Sequence, residues 1–481
     1  MNEPNDSRQV AQKAIRGAVA LGTRQIFVQG MNVVGGILLA RMLSPAEFGL
    51  YAITMFFIAF LGAFGGTGLA AGLIRQQRPP DELDYKTVFT AQHVLVVFLS
   101  VALWLAAPAI AAAYRLPPDH AWLFRLVALS LWITSFMVIP QVRLERSLAF
   151  DRLSLVEITQ AFTFNAMAVF LVWRGLGPIS FSIALMMRAL VGAILMNWLS
   201  PWKFGWLWDW QRIRNHLGFG IFLQGGQVVS LLKDSITPIF VGLYLGTGSV
   251  GQINWAQMVA NYTVLALMVF QRLYMPAFAR LQHDREALIG FVERVLFATN
   301  TLVAPVSVLT VVLIEPITRL IFGEKWLVAL PIFYLLALAN LVVASSTPLQ
   351  GLLNALGQSR ITFAFTVLWA VVTWIMGLPL IYWFGALGFA LANVCVQTTN
   401  FWLFAIVRKQ LPIRIWKAAL PSWVISLLAG SVIWILAQFV NVSNLYILAI
   451  LFALGLALFG TLLILGYKSE VRKLYLAWKA E

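Results

Sequence analysis

Long apolar runs recur along the whole chain, and no other feature limits its fold as severely. About 20 consecutive apolar residues are enough to cross the ~30 Å hydrocarbon core of a bilayer as an α-helix. Runs of that kind fall at roughly residues 19–41, 46–68, 88–113, 120–142, 150–173, 178–200, 217–245, 250–277, 291–321, 328–354, 360–383, 386–408, 415–437 and 444–466. Lipid offers no hydrogen bonds to a bare backbone, so each run must satisfy its own N–H and C=O groups as a helix. The expected fold is an all-α polytopic membrane protein with about 14 transmembrane helices. Composition agrees: only 11% of the 481 residues are charged, against about 25% in soluble domains.

The net charge of +15 would point to nucleic acid in a soluble protein. Here the basic residues are spread between the apolar runs rather than gathered in a patch, which reads as membrane topology and excludes a nucleic-acid partner. With the amino terminus inside, 25 Lys and Arg fall on the cytoplasmic side and 6 on the other, and Arg24, Arg188 and Lys233 lie within spans. That bias places both termini in the cytoplasm. Trp173, Trp202, Trp206, Trp326, Trp383 and Trp416 stand near span ends, as interfacial anchors do. The first apolar run follows a polar segment and contains Arg24, so it is expected to stay in the protein rather than be cleaved as a signal peptide. One cysteine, Cys395, excludes an internal disulfide, and four scattered histidines have no metal-ligand spacing, so no metal or other cofactor is expected.

An internal repeat refines the architecture. "LSPAEFGLYA" from Leu43 aligns with "LGTGSVGQIN" from Leu245, pairing Gly49 with Gly251. "PQVRLERSLAFDR" (140–152) aligns with "PLQGLLNALGQSR" (348–360), and "WRG" at Trp173 with "WFG" at Trp383. The offsets grow slowly, from 202 through 208 to 210, and keep their order. Spans 1 to 6 and 7 to 12 therefore read as two pseudo-symmetric six-helix lobes of like orientation, with an axis along the membrane normal. The expected divisions are an N-lobe over 1–205, a C-lobe over 206–412, and two extra helices with a tail over 413–481.

The first helix of each lobe carries a polar stripe: Gln25, Gln29, Asn32 and Gly36 in span 1, and Gln227, Ser230, Asp234 and Thr237 in span 7. Spacings of three and four put each set on one helical face. Such faces turn to the bundle interior or to water, either lining a passage or joining packed helices by hydrogen bonds. Lys233 and Asp234 are neighbours about 100° apart and are each expected to find another partner or to face water. Arg188 lies at a depth similar to Lys233, with Arg24 nearer the cytoplasm; three cations suit an anionic head group, and ion pairing with Asp234 and Glu157 is the structural alternative. Those two acids are also the candidates for coupling to protons or sodium ions. The Gly-rich stretch "GAFGGTGLAAG" (62–72) lacks the strand and the GK[ST] ending of a phosphate loop, and reads as close packing or a helix break. Trp255 and Tyr262, near the stripes, are candidates for stacking on sugar.

Residues 38–76 carry a pattern of the form L-[ST]-P-x-[ED]-[FY]-G, a second span, then G-L-x-x-x-L-I, occupied here by Leu43, Ser44, Pro45, Glu47, Phe48, Gly49, Gly68, Leu69, Leu73 and Ile74. This resembles the N-terminal signature of the polysaccharide transport family, the Wzx-type flippases of the multidrug/oligosaccharidyl-lipid/polysaccharide (MOP) exporter superfamily. "FGEKWLVALPIFYLLA" (322–337) and "LLNALGQSRITF" (352–363) are similar to second-half features of that family. The resemblance implies a MOP/MATE-like pair of lobes around a cationic cavity in the bacterial inner membrane. It also implies flipping of undecaprenyl-diphosphate-linked oligosaccharide from the cytoplasmic to the periplasmic leaflet for exopolysaccharide, capsule or O-antigen assembly, beside a polymerase and chain-length or export machinery. Fourteen spans resemble the lipid II flippase branch. On this reading Arg24, Arg188 and Lys233 meet diphosphate or acidic sugar, and Gln25, Gln29, Asn32, Gln227 and Ser230 line the passage. An ion-coupled drug or cation antiporter of the same superfamily is a second reading and would favour cavity carboxylates. A membrane polysaccharide polymerase or ligase is a third, opposed by outer loops too short to hold a catalytic centre.

Overall fold

A computed structural model describes residues 24–65, 67–76 and 78–467. The expected cytoplasmic tails, with Arg8, Lys13, Arg16, Lys468, Arg472, Lys473 and Lys479, lie outside the described residues. The chain divides into two compact units, Met1–Gly251 and Gln252–Glu481. In the first, α1 covers residues 24–42, followed by α2 (Pro45–Gly65), α3 (Thr67–Arg75), α4 (Glu82–Ala113), α5 (Ala121–Thr134), α6 (Val138–Arg146), α7 (Phe150–Trp173), α8 (Ile179–Leu199), α9 (Trp210–Asp234) and α10 (Gly242–Tyr244). The unit boundary falls inside α11 (Thr247–Val264). The second unit continues with α12 (Ala266–Leu281), α13 (Arg285–Ile317), α14 (Leu330–Ala355), α15 (Ser359–Phe384), α16 (Ala386–Thr398), α17 (Asn400–Gln410), α18 (Ile415–Phe439) and α19 (Leu445–Gly466).

Eleven helical runs among the described residues are long and apolar enough to cross a membrane, the first Pro45–Phe64 and the last Leu445–Gly466. The other three expected runs coincide with α1, α9 with α10, and α11 with α12. The Gly-rich stretch falls at the junction of α2 and α3. Prolines within spans, such as Pro108, Pro305, Pro348 and Pro421, are accommodated in helices, as neighbouring groups in a membrane protein re-satisfy the freed carbonyls. Both π turns are tied to proline: Ile236–Val241 contains Pro238, and Thr318–Phe322 follows Pro316. At the first, the Tyr114 hydroxyl donates to the Pro238 carbonyl at 2.8 Å.

Helix ends explain the signature stretch in physical terms. The Ser44 backbone N–H and hydroxyl donate to Glu47 Oε2 at 2.8 and 2.7 Å, and the Glu47 N–H returns to Ser44 Oγ at 3.3 Å. This is a capping box, with Pro45 in the first helical position, where its missing N–H costs nothing. Gly49, one turn on, meets the first turn of α11. A Cβ on Gly49 would strike the Thr247 carbonyl, and one on Gly251 would strike the Pro45 carbonyl. The contact is reciprocal, since Pro45 and Thr247, like Gly49 and Gly251, are separated by 202 positions. Glycine allows two backbones to approach this closely.

In the first unit α8 packs against α5 and α7, and α3 against α9. Arg146 reaches the end of α3 and donates to the carbonyls of Leu73 at 2.6 Å and Gln76 at 2.9 Å, while Arg152 donates to Leu199 at the end of α8 at 3.2 Å. Cations there satisfy the last carbonyls and the negative end of the helix dipole. In the second unit α13 is central, flanked by α14, α18 and α19. Gly430 of α18 and Gly455 of α19 let Val308 and Leu309 of α13 pack close. Asn300 joins three helices: its amide donates to Ser345 Oγ at 3.1 Å and its carbonyl oxygen accepts from the Trp423 indole at 2.8 Å.

Gly49→Ala is expected to cost about 1–3 kcal/mol, the usual penalty for overpacking, and to lower the melting temperature of the purified protein. Gly62→Ala, at a site with open space around it, should not lower it.

Candidate functional site

Three spans bring charge together inside the first unit, and a fourth, α2, brings a phenol beside it. Arg24 of α1 donates to Glu157 Oε1 of α7 at 2.8 Å, with the arginine side chain 14% exposed and the glutamate 42%. Arg188 of α8 is exposed and lies within electrostatic reach of Glu157 and of Tyr51 on α2. Among the described residues no ion pair closes on Arg188. Tyr51 packs against the rings of Phe181 at 4.8 Å and Phe164 at 6.4 Å. Two arginines against one glutamate leave one positive charge in surplus at a depth where an ion costs roughly 2.5–3.5 kcal/mol to insert. A pair about 3 Å apart offsets part of that cost, but only for Arg24.

The polar stripe of α1 serves in part as glue. The Asn165 amide of α7 donates to Asn32 Oδ1 at 3.0 Å, and a Cβ on Gly35 would strike the Asn165 side chain. Gln25 is partnered as well, and Gln29 is half-buried. Arg24 with Glu157 and Asn32 with Asn165 share a separation of 133 positions, so α1 and α7 run parallel and in register.

On α9, Gln227 is exposed and Ser230 half-buried. Lys233 and Asp234 pair with each other, Nζ to Oδ1 at 3.0 Å, with side chains 32% and 58% exposed. This corrects the expectation of separate partners or water and matches the structural alternative, ion pairing with Asp234 and Glu157: the four-carbon lysine stem bends across the 100° between adjacent residues. The pair stands where α9 ends and the π turn follows, so Lys233 also faces the negative end of the helix dipole. Two other expectations are corrected. Trp326 is fully buried, not an interfacial anchor, and stacks at 5.5 Å on Trp255. Trp255 is itself fully buried and lies edge-on to Phe322, so it offers no face to a sugar. Both indoles found enough apolar surroundings in the second unit to leave the surface.

Sequence reasoning missed a charged cluster in the first unit. Arg212, at the start of α9, bonds Asp81 at 2.9 Å, Asp209 at 3.2 Å and the buried Asp84 at 2.5 Å, and Arg78 approaches Asp84 at 3.6 Å. Asp81 and Asp84 form the capping box of α4, so the arginine ties one helix start to another. The signal available was the "D-x-x-D" spacing at 81–84. Tyr51 was missed too; its phenol among the mainly apolar residues of α2 was the clue. Among the described residues no group of three metal-ligating side chains forms.

Burial pushes the Asp81 carboxyl up, but the Asp84 N–H and the Arg212 guanidinium outweigh it and hold it below the ordinary carboxylate range. A depressed acid stabilises the fold above its unfolded pKa and loses that effect as pH falls through the folded one. The melting-temperature gap between wild type and Asp81→Asn should therefore be constant from pH 8 to about 5.5 and shrink below about 3.9. Arg212→Ala should lower the melting temperature further than Asp81→Asn, because it strands the buried Asp84.

Comparison with known proteins places these features in context. A family profile described as "Polysaccharide biosynthesis protein" matches residues 38–331. The succinoglycan biosynthesis transport protein ExoT of Rhizobium meliloti is 25% identical over 345 residues, covering 72% of this chain and 69% of the relative. The lipopolysaccharide biosynthesis protein WzxC of Escherichia coli is 24% identical, covering 74% and 73%, and the teichuronic acid biosynthesis protein TuaB of Bacillus subtilis is 24% identical, covering 83% and 80%. Among solved structures, the lipid II flippase MurJ in an inward closed conformation superposes with a TM-score of 0.77 at 16% identity, over 95% of this chain and 100% of that one. An inward-facing MATE family transporter of the MOP superfamily gives 0.59 at 14% identity, over 86% and 98%. These likenesses show a shared fold.

Proposed function

Because the chain belongs to the polysaccharide biosynthesis proteins of the Wzx-like branch of the MOP exporter superfamily, transporters and not enzymes, we propose that it flips undecaprenyl-diphosphate-linked oligosaccharide from the cytoplasmic to the periplasmic leaflet. The observation that carries this reading is the surplus positive charge of Arg24, Glu157 and Arg188 inside the first unit. A diphosphate arriving at Arg188 is drawn by an unpaired cation and competes with Glu157 for Arg24. In the empty protein Glu157 keeps Arg24 neutralised; with substrate bound, the carboxylate yields its place. Binding and release thus exchange one ion pair for another instead of burying or exposing a bare charge, which keeps both steps shallow.

The architecture proposed with it is fourteen spans in lobes 1–205 and 206–412 with an added pair over 413–481, both termini in the cytoplasm of a bacterium, working by alternating access. The polar groups Gln25, Gln29, Asn32, Gln227 and Ser230 line the passage, and Lys233 of α9 adds a third cation to Arg24 and Arg188. Glu157 and Asp234 are the groups through which a proton or sodium gradient would act. The partners are membrane lipids, the lipid-linked sugar, and the polymerase and export machinery that take up its product. An antiporter of drugs or cations needs carboxylates free to bind them; here each of the two acids already holds a cation, which favours the flippase.

In a proteoliposome assay with a defined lipid-linked oligosaccharide, Arg188→Ala and Lys233→Ala should each slow flipping at least tenfold at normal expression, with Arg188→Lys retaining part of the rate. Unchanged flipping in both alanine variants would sink the cationic passage. Asp234→Asn should change the dependence on an imposed proton gradient; a wild-type response removes Asp234 from coupling.

A further inference from the structure

Arg125 stands one turn into α5, about 6 Å from the start of that helix and near the beginning of the membrane-length run Pro118–Arg146. A long side chain on a helix points back toward the amino end. The guanidinium accordingly lies 5.1 Å from the ring of Trp122, three residues earlier, and 5.6 Å from the ring of Trp104 on α4. The two indoles meet edge-on, with centroids 5.9 Å apart and planes at 88°. They form two walls of a niche at the seam where α4 packs against α5. Trp122 is exposed, as are Val101 and Leu105 on either side of Trp104 in the chain, so in a membrane-spanning protein this seam meets lipid. Among the described residues no acid pairs with Arg125, and its Nε is buried without a hydrogen-bond acceptor. Arg174, at the end of α7, makes a useful contrast. It also lies over two rings, Phe170 at 5.6 Å and Trp173 at 6.0 Å, but both belong to its own helix and Arg174 is exposed.

We propose that Trp104, Trp122 and Arg125 bind the phosphate of an anionic glycerophospholipid, of which phosphatidylglycerol is the simplest. Charge complementarity selects the occupant. The two rings hold the guanidinium by cation–π attraction but cancel none of its charge, so the niche lacks an anion. The planar fork of arginine matches two phosphate oxygens at once. One turn from the start of a spanning helix is the level at which lipid phosphates meet the hydrocarbon, and the exposed apolar flanks of the seam lie along the acyl chains. A lipid of net charge −1 neutralises Arg125, whereas a zwitterionic lipid brings its own ammonium and leaves the positive charge in surplus. Seated there, the lipid bridges α4 and α5 and stabilises the fold. The site is separate from Arg24, Arg188 and Lys233 and does not depend on what the protein transports.

The test uses purified full-length protein titrated with phosphatidylglycerol or phosphatidylethanolamine of identical acyl chains, with bound lipid counted by native mass spectrometry. Wild type is expected to bind phosphatidylglycerol at least fivefold more tightly than phosphatidylethanolamine. Arg125→Gln should weaken phosphatidylglycerol at least fivefold and leave phosphatidylethanolamine unchanged. Arg125→Lys, which keeps the charge and loses the fork, should lose most of the preference, and Trp122→Leu, which keeps a lipid-facing position apolar, should lose it likewise. Arg174→Gln should behave as wild type. Because a bound ligand stabilises the folded state, phosphatidylglycerol should raise the melting temperature of wild type and Arg174→Gln but not of Arg125→Gln. Equal binding of the two lipids by wild type, or an undiminished preference in Arg125→Gln or Trp122→Leu, would overturn the assignment. So would an equal loss in Arg174→Gln, the mark of general attraction to a basic surface, or displacement of the lipid by millimolar inorganic phosphate, the mark of a free-phosphate site.

Discussion

Hydrocarbon supplies neither hydrogen bonds nor counter-ions, and most of this structure answers that single constraint. Backbones fold into helices that satisfy themselves, and the ends, where four groups are always left over, are closed by side chains. Ser44 with Glu47 and Asp81 with Asp84 close helix starts; Arg146 and Arg152 close helix ends. The arginines that a topology count assigns to the cytoplasm are therefore also structural caps. At Pro238 the helix passes into a π turn, and the Tyr114 hydroxyl donates to the Pro238 carbonyl.

The same constraint gives the charged cluster its meaning. Arg24 is neutralised by Glu157 and Lys233 by Asp234, so two of the three intramembrane cations are held by acids of the chain itself. Arg188 breaks the pattern: it is exposed and no acid closes on it among the described residues. On the flippase reading proposed above, this open cation is where the visiting anion would bind.

Much of the fold was legible along the chain because bilayer thickness sets helix length directly, and because the cost of exposed backbone leaves helices as the answer to a long apolar run. The polar stripes were legible for a similar reason, through their three- and four-residue spacing. Partners were not. Lys233 and Asp234 were each assigned another partner or water from ideal helix geometry, which ignores how far a flexible stem can bend. Trp326 and Trp255 were read by their place in the sequence as an anchor and a sugar platform; both are buried against each other, since an indole goes wherever enough apolar surface surrounds it.

By itself, then, the order of residues determined the all-helical membrane class, the long runs and the presence of Arg24, Arg188 and Lys233 in segments where charges are expensive. These follow from properties that add up locally: length, hydropathy and spacing. Only the tertiary structure decided that Glu157 neutralises Arg24 while Arg188 stays open, and that Asn32 bonds Asn165. Those outcomes depend on which helix faces lie side by side, a choice made by packing residues more than a hundred positions apart, and no local pattern encodes it.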